Sequence, residues 1–167
     1  MATVRKAVPE DALGIALVGA YTWKTTYAGL MPDALIDARI DNVANAAKRR
    51  REEIERGMGV FVAEEQGVVI GFCMYGKSWN EAYADAGEIA ALYVLKPFQG
   101  TGVGKALFLA AREKLAGEGH RSMIINCLVG NPSLGFYERM GGVIVGQRRD
   151  EAQGGHILTE DILLFQI

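Results

Sequence analysis

The segment Phe98–Leu107, FQGTGVGKAL, places glycines at 100, 102 and 104 and then runs into apolar residues at helical spacing. Glycine lets a backbone approach a ligand with no Cβ in the way, and the free N–H groups at a helix start attract anions. A strand turning through this segment into a helix is therefore a cradle for a phosphorylated ligand, unless it is only a sharp corner. Two more residues stand in chemically suggestive places. Glu88 lies in the otherwise apolar run EIAALYVL just before the turn, and Tyr137 lies in NPSLGFYERMGG after it. A carboxylate can act as a base and a phenol as an acid.

Three loop types compete for the glycines. A P-loop needs glycine five positions before its Gly-Lys pair and Ser or Thr after it. Around Gly104-Lys105 those positions hold Gln99 and Ala106, so no hydroxyl is available for magnesium. The dinucleotide fingerprint G-x-G-x-x-G fits Gly100 and Gly102 but puts Lys105 at its third glycine. The strand that follows, SMIINCLVGN, also ends without the carboxylate that grips a ribose. The third pattern, Gln/Arg-x-x-Gly-x-Gly/Ala, is met in full by Gln99-Gly100-Thr101-Gly102-Val103-Gly104.

By that loop, by EIAALYVLKPFQG before it and by NPSLGFYERMGG after it, the chain resembles the GCN5-related N-acetyltransferases over about Gly87–Gly142. The resemblance implies acetyl-CoA as co-substrate, no metal, and direct attack of a primary amine on the thioester within a ternary complex. It places the pantetheine along the backbone of Leu92, Tyr93 and Val94, with the Val94 N–H at the oxyanion. It places the pyrophosphate on Gln99, Gly100, Thr101, Gly102, Val103 and Gly104, with Lys105 adding charge. Asn131 is expected on the pantetheine arm and Tyr137 beside the sulfur as the acid. Glu88 is expected as the base, and its distance from Gln99 matches the family's catalytic glutamate. Trp23 and Tyr27, in YTWKTTYAGLMPDA, fall on the acceptor wall.

Plainer roles remain open for these residues. Glu88 can be a strand-end glutamate facing solvent, Tyr137 a packing residue, and Tyr21, Trp23 and Tyr27 core aromatics. If strict alternation holds, Glu88 shares its face with Ala90, Leu92 and Val94. Two positions depart from the family pattern: Gly135 replaces the usual alanine and Gly142 a common aromatic. The alternative function is a catalytically silent acyl-CoA-binding sensor. The acceptor, a small-molecule amine or a protein amino group, stays open, and a homodimer is allowed.

The elements that must carry these residues follow from period and punctuation. Helices are expected at 12–27, 33–40, 42–56 and 103–116, the last with Val103, Ala106, Leu107, Ala110 and Leu115 on its inner face. VFVAEEQ, a Gly67 turn and VVIGFCMYG read as a hairpin. Strands at 3–8, 88–95 and 122–128, a short helix over PSLGFYERM and a closing pair of strands complete one α/β (α+β) domain over 1–167. Its sheet is expected to be mixed, largely antiparallel and six- to seven-stranded.

The composition is that of an ordinary globular protein, 50% apolar and 23% charged, with a formal net charge of -2. No basic field favours nucleic acid or an anionic membrane. The basic run Lys48–Arg51, followed by Glu52, Glu53 and Glu55, reads as a solvated helix face. Cys73 and Cys127 sit in apolar runs and read as buried free thiols of a cytosolic chain. No G-x-S-x-G elbow and no His/Cys pair at metal-ligand spacing is present.

Overall fold

The computed structural model describes residues 1–152 and 155–167. Strand β1 (Thr3–Lys6) leads through a 3-10 turn into helix α1 (Ala12–Tyr27), followed by α2 (Asp33–Asp41) and α3 (Val43–Glu55). Then come β2 (Gly59–Glu65), β3 (Val68–Lys77), β4 (Gly87–Val94), α4 (Val103–Gly117) and β5 (Ser122–Leu128). A short helix, α5 (Leu134–Arg139), and strands β6 (Val143–Ala152) and β7 (His156–Gln166) close the chain. The expected mixed sheet forms with seven strands in the order β1-β2-β3-β4-β5-β7-β6. Every neighbouring pair is antiparallel except β4 and β5.

Local chemistry accounts for the elements. Gln66 and Gly67, at φ 52° and 79°, form the two-residue left-handed turn that matches the twist of a hairpin. Helix α4 packs one sheet face through Val103, Leu107, Phe108, Ala111 and Leu115. This corrects the expected inner face: Ala106 is exposed and Ala110 half-buried. Alanines lie all round this helix, so its rotation is set by the largest side chain. Phe108 turns inward to Phe165, with ring centroids 5.3 Å apart. The opposite face carries α1, with Ile15 and Val18 against Val60, Val62 and Phe72.

The two departures at glycine differ in consequence. A Cβ on Gly142 would come within 2.7 Å of the buried Phe165 ring, so an aromatic has no room there. A Cβ on Gly135 would meet only the end of the Arg139 side chain.

An ion cluster ties the start of α1 to the sheet. The Arg5 guanidinium donates to both Asp11 oxygens, at 2.8 and 2.9 Å, and its Nε donates to Glu64 on β2 at 3.0 Å. The Val8 N–H donates to Asp11 as well, at 2.8 Å. Burial pushes the Asp11 carboxyl up, but Arg5 and the Val8 N–H outweigh it and hold the group below its ordinary value. The unfolded chain therefore binds more protons at this site than the folded chain. The resulting stability is present above the ordinary carboxyl range near ~4 and is lost as pH falls through the lower folded value. Urea midpoints from pH 6 down to pH 3 should fall for the wild type. Asp11→Asn should start lower and show a shallower decline; an unchanged slope would remove Asp11 from the acid response.

Candidate active site

A break in strand pairing creates the site. Met74 pairs with Ala91 but Tyr75 pairs with Ile89, so Ala90 bulges out of β4. Pairing between β4 and β5 covers only Gly87–Ile89 against Met123–Ile125. Beyond the bulge the two strands part and leave one edge of β4 bare. The Leu95 N–H donates to Ile70 O on the β3 side, at 2.9 Å. By strand alternation the N–H groups of Val94 and Leu92 point the other way, into the gap. A cavity of about 410 Å³ fills this gap, walled by Leu92, Tyr93 and Val94 and by Ile125, Asn126 and Cys127 of β5.

The glycine turn closes one end of the cavity. Gly100 and Gly102 have φ 76° and 92°, the left-handed region that other residues enter at a cost. Nothing lies within 4 Å of where their Cβ atoms would project. Gln99 donates from Nε2 to Val94 O at 2.9 Å and so bolts the turn to β4. Thr101 is outside the lining, with its hydroxyl donating to Phe98 O at 2.6 Å. The first bond of α4 runs from the Ala106 N–H to Gly102 O, which leaves the N–H groups of Val103, Gly104 and Lys105 without helical partners. The Val103 side chain is buried in the core, so only its backbone serves the turn. Gly104 and Lys105 line the cavity beside it. This end of the cavity offers free helix-start N–H groups with a lysine at its rim, an arrangement suited to an anion.

At the other end stands Tyr137, on α5, only 7% exposed. Burial above all, then the nearby Cys127, Tyr93 and Cys73, pushes its phenol well above the ordinary value. It is protonated throughout the physiological range. Burial, with Asp161 and Glu160 nearby, holds the Cys127 thiol up to about 11, so it is a wall and not a nucleophile. Asn131 lines the cavity, accepting from the Ser133 N–H at 2.8 Å and facing the Tyr27 hydroxyl at 3.5 Å. Tyr27 also lines the cavity; burial first, then Tyr93, keeps its phenol protonated.

Glu88 is elsewhere than strict alternation places it. Ile89, Leu92 and Val94 all pack toward α4, whereas Ala91 and Tyr93 pack toward α1. The bulge reverses the parity of β4, so Glu88 lies on the α1 side and not with Leu92 and Val94. It is 7% exposed and does not line the large cavity. Its carboxylate accepts from the Ser78 hydroxyl at 3.0 Å, the Trp79 N–H at 3.1 Å and Asn126 Nδ2 at 3.2 Å. Glu88 and Ala90 line a second, smaller cavity of about 120 Å³. Ala90 also borders the large one.

Trp23 does not line the large cavity. Its Nε1–H donates to the Tyr93 hydroxyl at 3.1 Å, and its ring faces a separate cavity among the helices. Tyr21 is exposed. Two residues that sequence reasoning passed over line the large cavity with unsatisfied buried atoms: Thr22 Oγ1 and Asn126 Oδ1. Asn126 did carry a signal, as the amide in the apolar strand SMIINCL.

Comparison with known proteins agrees with this geometry. The model of the acetyltransferase (GNAT) family matches residues 23–142. An uncharacterized N-acetyltransferase, YuaI of Bacillus subtilis (strain 168), is 35% identical over 156 residues, 92% of this chain and 87% of that protein. Among solved structures, the PaiA N-acetyltransferase of Thermoplasma acidophilum in complex with coenzyme A superposes with a TM-score of 0.78 at 20% identity. The match covers 100% of this chain and 99% of that one. YncA of Salmonella typhimurium, a structure with acetyl-CoA, gives 0.70 at 20% identity over 99% of this chain and 94% of that one. Similarity at that identity speaks to fold, but the family match covers most of the chain, with the parted strands, the glycine turn and Tyr137 inside it. The chain belongs to the acetyltransferase (GNAT) family.

Proposed function

We propose that the protein is an N-acetyltransferase that passes the acetyl group of acetyl-CoA directly to a primary amine within a ternary complex. The observation that carries this reading is the bare edge of β4 opening onto the anion cradle of α4. An extended pantetheine can bond to such an edge as another strand does, with its pyrophosphate on the N–H groups at the helix start. When bound, acetyl-CoA supplies the thioester; the chain supplies the rest.

The Val94 N–H, pointing into the gap, is the donor for the oxyanion that forms on the thioester carbonyl. Tyr137, kept protonated by burial, gives its proton to the departing thiolate as the C–S bond breaks. An alkyl ammonium has a pKa near ~10, so a base must first take its proton. Glu88 is that base in this reading. Asn126 stands between it and the large cavity, so the proton reaches it through a water. The second amine proton, released as the C–N bond forms, returns Tyr137 to its phenol. One observation favours a second reading: both Glu88 oxygens are engaged by protein donors, as suits a structural bolt. Without a base the domain would be a silent acyl-CoA sensor. Coenzyme A thiol release with a panel of amines separates the two, since binding without release from any amine would leave only the sensor.

Gly102→Val should keep the fold and lose at least tenfold in affinity for acetyl-CoA, because a side chain would project into the cradle on a backbone strained by ~1–2 kcal/mol. Calorimetry giving an unchanged affinity would move the phosphate site elsewhere. For Tyr137→Phe, cofactor affinity should stay within a few fold while kcat falls by roughly 10²–10⁴. A wild-type kcat would leave Tyr137 as packing alone.

Glu88→Gln keeps shape and hydrogen-bonding capacity but cannot take the proton. Its deficit in kcat/KM should be greatest at neutral pH and shrink as pH approaches the amine's own pKa, where the acceptor arrives already neutral. Parallel profiles for the two proteins would make Glu88 the bolt and not the base.

A further inference from the structure

A cavity of about 260 Å³ lies among α1, α2 and α3, apart from the site described above. Its lining includes Arg39, Arg49 and Arg50 and, among the described residues, no carboxylate. The basic run on α3 is therefore not a wholly solvated face: Arg50 is only 14% exposed. Glu53 is shared by Arg49 and Arg50. Arg39, on α2, has no ion-pair partner among the described residues, and its guanidinium carbon lies 4.0 Å from the centroid of the Trp23 ring. Burial, offset in part by Tyr93 and Tyr27, holds it below its ordinary value. A half-buried guanidinium with no counter-charge is costly, and an anion that reached it would relieve that cost.

The shape of the cavity narrows the chemistry. Set over the Trp23 ring, the guanidinium donates no hydrogen bond among the described residues, and the fork of its N–H groups matches a carboxylate with two parallel bonds. Ile15, Leu35, Phe72 and Leu158 supply apolar walls. The volume lies below the ~300 Å³ at which pockets for drug-sized ligands begin, so the occupant is small. We infer that this cavity is a binding site for a small organic carboxylate, its acid group on Arg39 and its apolar body against Phe72 and Leu158. The site is separate from the large cavity, with Trp23, bonded to Tyr93, as the partition.

The chain has tryptophan only at positions 23 and 79, so Trp79→Phe leaves Trp23 as the sole indole reporter. In that background, benzoate, benzamide and inorganic phosphate are titrated against Trp23 fluorescence, with calorimetry in parallel. Benzoate should saturate the signal, and benzamide, equal in shape but neutral, should bind at least tenfold more weakly. Phosphate should be weaker than benzoate because it has nothing to set against the apolar walls. Arg39→Met should cost benzoate at least tenfold in affinity, and Arg39→Lys should recover part of it while keeping the charge. Saturating coenzyme A should leave benzoate affinity unchanged. The assignment fails if benzoate gives no saturable response up to about 10 mM, the top of the titration range (a Kd of 1 mM is already only about −4 kcal/mol). It fails equally if benzamide or phosphate matches benzoate, if Arg39→Met binds as well as its parent, or if coenzyme A displaces the ligand.

Discussion

One unpaired residue in β4 sets the geometry of the whole site. A parallel pair of strands normally keeps its hydrogen bonds along its length, and a continuous β4–β5 ladder would leave no room between them. The bulge at Ala90 bends β4 at the point where it meets β5, and pairing stops after three residues on each strand. The same bulge does a second job. It turns Glu88 to the opposite face from the one that the Leu92 and Val94 side chains occupy.

The parted strands would be a liability without the elements around them. Gln99 is the tie that holds the glycine turn against β4, and it does so by taking the carbonyl of Val94 while leaving that residue's N–H free. The cavity-facing part of the turn is largely backbone, set by two left-handed glycines, with Lys105 at its rim. On the opposite wall Tyr137 is the buried polar residue, with Asn126, Asn131 and Ser133 half-buried around it. Tyr137 is kept protonated by its surroundings, and Cys127, close by, is kept inert by the same cause. Thr22 and Asn126 each leave one buried oxygen unsatisfied in the cavity. Unpaired buried polar atoms are costly in a folded protein, and a ligand that bonded to them would offset that cost. In the proposed reaction the amine is the group best suited to do so, since it arrives with N–H donors to give.

The helical layer works as a second unit. Arg5, Asp11 and Glu64 fix the start of α1 to the sheet, and α1 in turn presents Thr22 and Tyr27 to one cavity and Trp23 to another. The alternation of partners along a single helix is what separates the two cavities. It also explains why Trp23 and Tyr27, equivalent in the sequence pattern, have different surroundings.

Much of the fold was legible in the residues because it depends on local causes. Helix α1 spans the residues expected for it, and the Gln66-Gly67 turn is placed by a residue type that tolerates positive φ. The glycine turn and its helix were legible for the same reason: backbone conformation and a free helix start are written in adjacent residues. What the tertiary structure decided depends on partners far away in the chain. Strict alternation put Glu88 beside Leu92, and only the pairing of β4 with β3 reveals the bulge that overturns it. Alanines on every side of α4 left its rotation open until Phe108 found Phe165. The parting of β4 from β5, the insertion of β7 between β5 and β6, and the burial that raises Tyr137 all arise between segments separated by tens of residues. Neighbouring residues alone mark which backbone can turn and which side chains are candidates for chemistry. Which of those residues share a cavity was decided by strand register and burial, because both are properties of contacts and not of neighbours in the chain.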